Sequence, residues 1–378
     1  MKILVTGKDG QLGSAIYKKV KNKSQKHNFI FVGKDELNLA NKESVHRYFE
    51  KNIYDLIINC AAYTSVDKAE AEPEIAEAVN NFGVKHIAKF AKINNSKLIH
   101  ISTDYVFDGA SKNLYKEDHQ TSPINVYGKS KLDGEKAIQN EMELDSIIIR
   151  TSWVYSEYGK NFVKTILNLA KEKKQIDVIN DQFGSPTSSM KLAKQIDKVY
   201  QNKLVGIYHA TSEGKCTWYD FAVACVEEMN IKNQPVPCQS SEFPTIAKRP
   251  KNSVLENSNF KKINENCFTD WKNELKESGN LTIINNKASI KTTSDKVLEW
   301  IFNDSYDQLI VDTLPRGITG ELADVIESIK KPKTLIHRDL NHRYVEEFEL
   351  SEFIKKYDLI IIPGENNPIK KAKELSFC

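Results

Sequence analysis

The sequence predicts an α/β protein: a Rossmann-type, doubly wound parallel sheet with a smaller substrate-binding lobe, followed by a small C-terminal α/β module. Two observations carry this. Short β-branched apolar runs alternate with amphipathic stretches of helical length across the first 150 residues, the pattern of βαβ units. A glycine-rich turn, Thr6-Gly7-Lys8-Asp9-Gly10-Gln11-Leu12-Gly13, stands directly between the first run and the first helical stretch, where a parallel sheet places its phosphate-binding loop.

In chain order, the predicted strands are Lys2–Val5, Phe29–Val32, Leu56–Asn59, Leu98–Ser102 and Ser146–Arg150. Between them the periodicity predicts helices over Leu12–Val20, Lys42–Glu50, Ile75–Ile93 and Asn125–Asn140. Strand starts lie roughly 25 to 45 residues apart, room for a crossover helix each time. The core therefore spans about residues 1–150. Residues 151–279 are less regular and are expected to complete the sheet and add the lobe, with Asp181–Thr187 as a marked loop. A polar stretch at Lys276–Asn286 marks a boundary, so the division is 1–279 and 280–378. Beyond it, Gln308–Asp312, Thr334–His337 and Asp358–Ile362 read as three further strands.

Composition narrows the function classes. The net charge of +3 is spread without a basic, aromatic-interleaved stripe, which argues against nucleic acid as a partner. No apolar run approaches the roughly 20 residues of a membrane span, and the start carries no secretory-type leader. Six scattered cysteines form no CxxC pair, which points to a reducing compartment, the cytoplasm, and gives no metal-ligand set.

The glycine turn supplies the first functional residues. Gly7, Gly10 and Gly13 allow a sharp turn, close approach of a pyrophosphate and close helix–sheet packing, with the helix N-terminus facing the phosphates. After the second strand, Gly33-Lys34-Asp35 offers both a basic and an acidic residue to an adenosine ribose. Lys34 comes first, so NADPH is preferred and NADH is allowed. Tyr127-Gly128-Lys129-Ser130-Lys131 places a phenol and an ammonium one helical turn apart. Ser102-Thr103 ends a strand at the edge where such sheets bind ligands. An ammonium beside a phenol is expected to draw its pKa down from about 10 toward the working range. His100, inside an apolar strand, reads as a satisfied core histidine, and Trp218 and Trp271 read as packing residues.

With those motifs the chain resembles the dTDP-4-dehydrorhamnose reductase family of extended short-chain dehydrogenases/reductases. The resemblance covers about Met1 to Gly279. It rests on the glycine loop, Asn59–Glu70, Ser102–Gly109, Pro123–Gly128, Arg150–Tyr155, the Asp181–Thr187 loop, and Arg249-Pro250 with Ser253. It implies that Gly10, Gln11 and Leu12 wrap the pyrophosphate and that Asn38 and Leu39 flank the adenine. Ala62, Tyr63 and Thr64 line the ribose and nicotinamide end of the coenzyme. Thr103 and Asp104 touch a nucleotide-sugar substrate, Trp153 packs against it, Tyr127 donates the proton and Lys131 bridges to the ribose. The implied reaction is reduction of a 4-keto-6-deoxy sugar nucleotide. The family often has an acidic residue where this chain has Asn38. Members with an interface Mg²⁺ use a carboxylate where Ala15 stands, so a metal is not expected, and a homodimer stays open.

Two other readings remain. A nucleotide-sugar epimerase or dehydratase shares the superfamily, but a dehydratase commonly adds an acidic pair beside the strand-end threonine, and here Asp104-Tyr105 follows. A non-catalytic regulator such as the methionine adenosyltransferase β subunit shares the fold. In the C-terminal module, Val311–Gly317 could hold an anion and weakly resembles part of some nucleotide-sugar glycosyltransferase-like proteins. His337 and His342 are too sparse for a metal site, and no activity is assigned there.

Overall fold

A computed structural model describes residues 1–21, 27–142, 145–172, 175–277, 308–311 and 334–337. The chain groups into two units, Met1–Ala288 and Ser289–Cys378. In the first, β1 (Lys2–Thr6), α1 (Gln11–Lys21), β2 (Asn28–Val32), α2 (Lys42–Glu50) and β3 (Leu56–Asn59) are followed by short helices α3 (Val66–Ala71) and α4 (Pro73–Glu77). A π-helical turn over Ala78–Gly83 leads into α5 (Val84–Ile93), β4 (Lys97–Thr103), α6 (Val126–Met142) and β5 (Ser146–Thr151).

The lobe region then adds β6 (Val154–Tyr155), α7 (Phe162–Glu172), β7 (Ile176–Ile179), β8 (Phe183–Gly184), β9 (Thr187–Ser188), α8 (Ser189–Gln201) and β10 (Gly206–His209). It ends with β11 (Cys216–Thr217), α9 (Trp218–Glu228), β12 (Pro235–Cys238), α10 (Ser258–Lys262) and α11 (Trp271–Lys276).

Six strands form one sheet in the order β10-β5-β4-β3-β1-β2, all parallel. Alternation along each strand divides the core. Ile3, Val5, Ile58, Ile99, Ile147 and Ile149 face α1 and α8, meeting Leu12, Ile16, Leu192 and Ile196. Leu4, Ile57, Leu98 and Ile148 face the other way, onto Val45, Phe49, Ile87, Ala88 and Ile138 of α2, α5 and α6. Both faces are covered, which is why these strands read as unbroken apolar runs. From β1 the chain goes one way to β2 and then crosses to β3 on the other side. That reversal makes the C-terminal ends of β1 and β3 the switch point where open α/β sheets bind ligands.

Strand bounds match the sequence reading to within a residue, and β10 supplies the sheet-completing strand expected from the lobe region. The predicted single helix over Ile75–Ile93 is instead α4, the π-turn and α5. Its cause is tertiary. Asn80 turns its side chain inward, and Gly83 lies so close to Leu39 that an added Cβ would stand 2.5 Å from the Leu39 carbonyl oxygen. A wider turn accommodates both. In the lobe, β7 pairs with β12, and α7, α9 and α11 close over Tyr155, Leu167, Phe221 and Trp271.

Of the second unit, β13 (Gln308–Val311) and β14 (Thr334–His337) are described as a parallel pair in register Gln308↔Thr334. The predicted strand at Asp358–Ile362, the loop beyond Val311 and His342 lie outside the described residues.

Candidate functional site

The glycine loop is fixed by contacts that exclude side chains. Gly7 has φ +69°, a left-handed conformation that glycine adopts without strain. A Cβ on Gly13 would sit 2.2 Å from the Gly7 carbonyl oxygen. The Gly10 N–H donates to that same oxygen at 3.0 Å, and Ser14 N–H makes the first intrahelical bond to Gly10 O. The N–H groups of Gln11, Leu12 and Gly13 have no acceptor earlier in the helix, so this end of α1 presents donors and positive partial charge. Leu12 itself is buried against the sheet. Gln11 donates from Nε2 to Val154 O at 3.1 Å, while its buried Oε1 has no partner among the described residues. A bare glycine cradle with free N–H groups and an orphaned acceptor suits a dinucleotide.

The end of β2 carries a run of charged residues, Lys34-Asp35-Glu36. Lys34 and Asp35 are exposed. The pairing across the loop is made by Lys8 and Glu36, with Glu36 Oε2 also accepting the Gly33 N–H at 2.9 Å. The two hold each other charged: Glu36 raises the Lys8 ammonium, and Lys8 lowers the Glu36 carboxyl. Neither was singled out from the sequence, because their pairing depends on the loop's fold. Asn38 turns its Oδ1 onto Ala40 N–H at 3.1 Å, and Leu39 is buried. Leu39 forms the wall beside Gly83.

Beyond β3, Ala62 is half-buried and Thr64 exposed. Tyr63 is clamped through its backbone: its N–H donates to Asn80 Oδ1 at 2.9 Å, and Asn80 Nδ2 donates to Tyr63 O at 3.0 Å. The Tyr63 hydroxyl donates to Glu72 Oε2 at 2.8 Å. Asn80 also donates to Ser130 Oγ at 3.0 Å, which ties this segment to α6. Sequence reasoning missed Asn80. The available signal was an Asn-Asn pair and a glycine inside a helical stretch.

Helix α6 carries the phenol and the amine. Asn125 caps it, accepting the Gly128 N–H at 2.7 Å, and Glu70 accepts the Val126 N–H at 2.9 Å. Gly128 and Gly134 let the helix approach; a Cβ on either would lie 2.1 Å from Tyr105 O or Asn80 O respectively. This seats Tyr127 in the first turn of α6, beside the end of β4. The Tyr105 ring packs edge-on to Tyr127, with centroids 5.9 Å apart. Thr103 Oγ1 donates to Asp104 Oδ1 at 2.9 Å. Burial pushes the Asp104 carboxyl up to about 6, against the opposing hydrogen bond from Thr103.

Lys131, 2% exposed, donates to Ile101 O at 2.6 Å and meets His100 Nε2 at 3.1 Å. Burial lowers its ammonium to about 8, against the opposing pull of Glu135 and Cys60. Tyr127 departs from expectation: burial pushes the phenol up to about 12. The amine is turned toward Ile101 and His100, so desolvation decides the phenol. A phenol of that strength is fully protonated at neutral pH. Ser102, the neighbouring strand-end hydroxyl, points away to Glu135.

Trp153 has φ +44° and stacks on Trp218, ring centroids 3.4 Å apart. It also covers Gly184, where a Cβ would stand 2.3 Å from the indole. Trp218 is thus half of an aromatic stack, while Trp271 is core. Arg249 of the 247–253 segment pairs with Asp67 through NH2 to Oδ2 at 2.6 Å, and Gly109 packs on Pro250. Groups of His, Cys, Asp and Glu able to hold a metal are absent among the described residues, as are helices long and apolar enough to cross a membrane.

Comparison with known proteins agrees with this architecture. The RmlD substrate binding domain family matches residues 1–282. The dTDP-4-dehydrorhamnose reductase of Aggregatibacter actinomycetemcomitans is 39% identical over 287 residues, 73% of this chain and 97% of that protein. The crystal structure of a dTDP-4-dehydrorhamnose reductase from Clostridium acetobutylicum is 40% identical with a TM-score of 0.71, over 73% of this chain and 98% of that one. The Bacillus anthracis dTDP-4-dehydrorhamnose reductase, solved in complex with NADP, is 35% identical with a TM-score of 0.69, over 72% and 96% of the two chains. The chain belongs to the dTDP-4-dehydrorhamnose reductase family, the RmlD family.

Proposed function

We propose that residues 1–279 form an NAD(P)H-dependent reductase that converts dTDP-4-dehydrorhamnose to dTDP-rhamnose for polysaccharide synthesis, with the coenzyme on the core and the sugar held toward the lobe. The observation that carries it is that Tyr127, its ring 5.9 Å from that of Tyr105, stands beside Thr103 at the C-terminal end of β4, whose Oγ1 accepts the Tyr105 N–H at 3.2 Å, on the same edge of the sheet as the glycine cradle. The coenzyme would be held by Gly7, Gly10, Gln11, Leu12 and Gly13 at its phosphates, by Asn38 and Leu39 at the adenine, and by Ala62, Tyr63 and Thr64 farther along. When bound it supplies the hydride.

This chain's residues manage the proton and the orientation. Tyr127 holds its proton at neutral pH and gives it to the oxygen that develops negative charge at the sugar's 4-position. When the sugar binds, the single Thr103 hydroxyl hydrogen turns from Asp104 to the same oxygen. Asp104 faces the sugar, Trp153 packs on it, and Lys131 bridges to the nicotinamide ribose. NADPH is preferred and NADH accepted. The family match and the NADP-bound relative support this reading, and the free cysteines accord with the cytoplasm.

The test is the absorbance change at the nicotinamide band with dTDP-4-dehydrorhamnose, each coenzyme supplied separately. Stoichiometric coenzyme consumption is expected, which separates a reductase from an epimerase or dehydratase that recycles its coenzyme. Tyr127→Phe should lose at least about a hundredfold in turnover and still bind NADPH; full activity in that variant would refute the assignment. A tight stoichiometric protein partner with no reductase activity would favour a regulator instead.

A further inference from the structure

Four buried polar side chains from four elements stand in line beneath the ligand-facing edge of the sheet: Thr6 on β1, Asn59 on β3, His100 on β4 and Lys131 on α6, none more than 2% exposed. Thr6 Oγ1 is 2.6 Å from Asn59 Oδ1. Asn59 Nδ2 is 3.0 Å from His100 Nδ1, and His100 Nε2 is 3.1 Å from Lys131 Nζ. Nζ also donates to Ile101 O.

The direction of every bond follows from the Thr6 end. Thr6 Oγ1 already accepts the Ala61 N–H at 3.2 Å, and its own hydrogen goes to Asn59 Oδ1. Reversing that amide would leave the hydroxyl hydrogen buried with no acceptor among the described residues, a state that folded proteins avoid. Asn59 therefore presents its NH₂ group to His100 Nδ1, which must accept. A protonated imidazole would set two donors face to face there, and burial moreover drives the His100 pKa well below its ordinary value. The ring is neutral, with one acceptor and one donor, so Nε2 carries the hydrogen and aims it at Nζ. An ammonium has no lone pair to receive it. A neutral amine has one, and still donates to Ile101 O.

We propose that His100 is a positioning residue that holds Lys131 as an uncharged amine in the coenzyme-free protein. This rests on the reading that Lys131 belongs to the reductase site. The ionisable groups facing Lys131 are His100 from β4, Cys60 just after β3, and Glu135 one turn along α6; Glu135 is committed to Arg150 of β5. Burial, against the opposing pull of Glu135 and Cys60, brings the ammonium down to about 8, and a hydrogen donor aimed at Nζ lowers it further.

Long-range proton–nitrogen NMR spectra of the ¹⁵N-labelled full chain, without coenzyme or substrate, read the tautomer directly. His100 signals are assigned by their loss in His100→Gln or His100→Asn, or by their contacts to Ile101 in the unaltered protein. A neutral Nε2–H ring at neutral pH is expected; an Nδ1–H ring means that Nε2 accepts from an ammonium and overturns the proposal. NADPH affinity, followed by fluorescence from pH 6 to 10, gives the second readout. The unaltered protein should show a proton-linked midpoint at or below about 8. In His100→Gln, whose amide can accept from an ammonium, that midpoint should rise by about one pH unit or more. An equal loss of affinity at every pH, with the midpoint unmoved, would assign His100 a packing role only and overturn the idea. The tautomer needs no turnover, so its failure is distinguishable from failure of the Tyr127→Phe assay.

Discussion

Lys131 and Glu135 lie one turn apart on α6, both buried, and the protein treats their charges in opposite ways. Glu135 receives the Arg150 guanidinium through Nε at 3.0 and 3.2 Å and through NH2 at 2.7 Å. The Ser102 hydroxyl adds a further bond, and the Phe107 ring covers the guanidinium at 5.2 Å. Among the described residues, Lys131 has a carbonyl and an imidazole within bonding distance. An oppositely charged, hydrogen-bonded pair fixes helix to strand. A lone amine with neutral partners is costly to charge, and that cost makes it responsive. Buried groups of the second kind collect where proton chemistry is done.

The comparison can be broken most severely at the pair. Glu135→Ala leaves the Arg150 charge buried without its carboxylate, and unfolding by denaturant should show a loss of about 3–5 kcal/mol. A loss within about 0.5 kcal/mol would mean that the pair does not bind α6 to β5.

Lys131 sharpens the contrast through pH. Its folded-state pKa, about 8, lies below the ordinary lysine value of about 10.4. Between those values the unfolded chain holds a proton that the folded protein lacks, so this group's contribution makes stability rise with pH across the window and is lost as pH falls through about 8. Its size is on the order of 3 kcal/mol. Lys131→Met should therefore flatten the stability profile between about pH 8 and 10 relative to the unaltered protein, while losing reductase activity. Parallel profiles for the two proteins would show that the amine is not held uncharged. The same variant should leave thermal stability at pH 7 unchanged or raised, the reverse of Glu135→Ala.

The smallest effect is expected at the start of the helix that carries both residues. Asn125→Ala removes the cap on Gly128 N–H and the donor to Lys248 O, and should cost about 1 kcal/mol in denaturant unfolding. A drop in turnover larger than that destabilisation explains would show that the cap also sets the height of Tyr127 on the sheet edge.

How far the sequence could be read follows from how local each signal is. The strands β1 to β5 are legible because residues buried on both faces leave an unbroken apolar run, whatever their neighbours are. The glycine loop is legible because turn, cradle and helix start fall within eight residues. The π-turn is not: it exists because Asn80 reaches Tyr63 and Ser130, and nothing within Ile75–Ile93 announces those partners. Lys8 with Glu36, Arg249 with Asp67 and Trp153 with Trp218 are likewise pairs made across long stretches of chain. His100 reads correctly as a satisfied buried histidine, but its partner is Lys131, the lysine proposed for the site.

The sequence by itself determined the layered parallel sheet, the position of the phosphate loop and which residue types stand at the strand-end edge, because each is written in contiguous residues with a fixed period. Tertiary structure alone decided which strand-end hydroxyl turns away to Glu135, that the Tyr127 phenol is raised and the Lys131 amine lowered, and which buried charges are paired. Those outcomes depend on desolvation and hydrogen-bond geometry, and both come into being only when distant segments pack together.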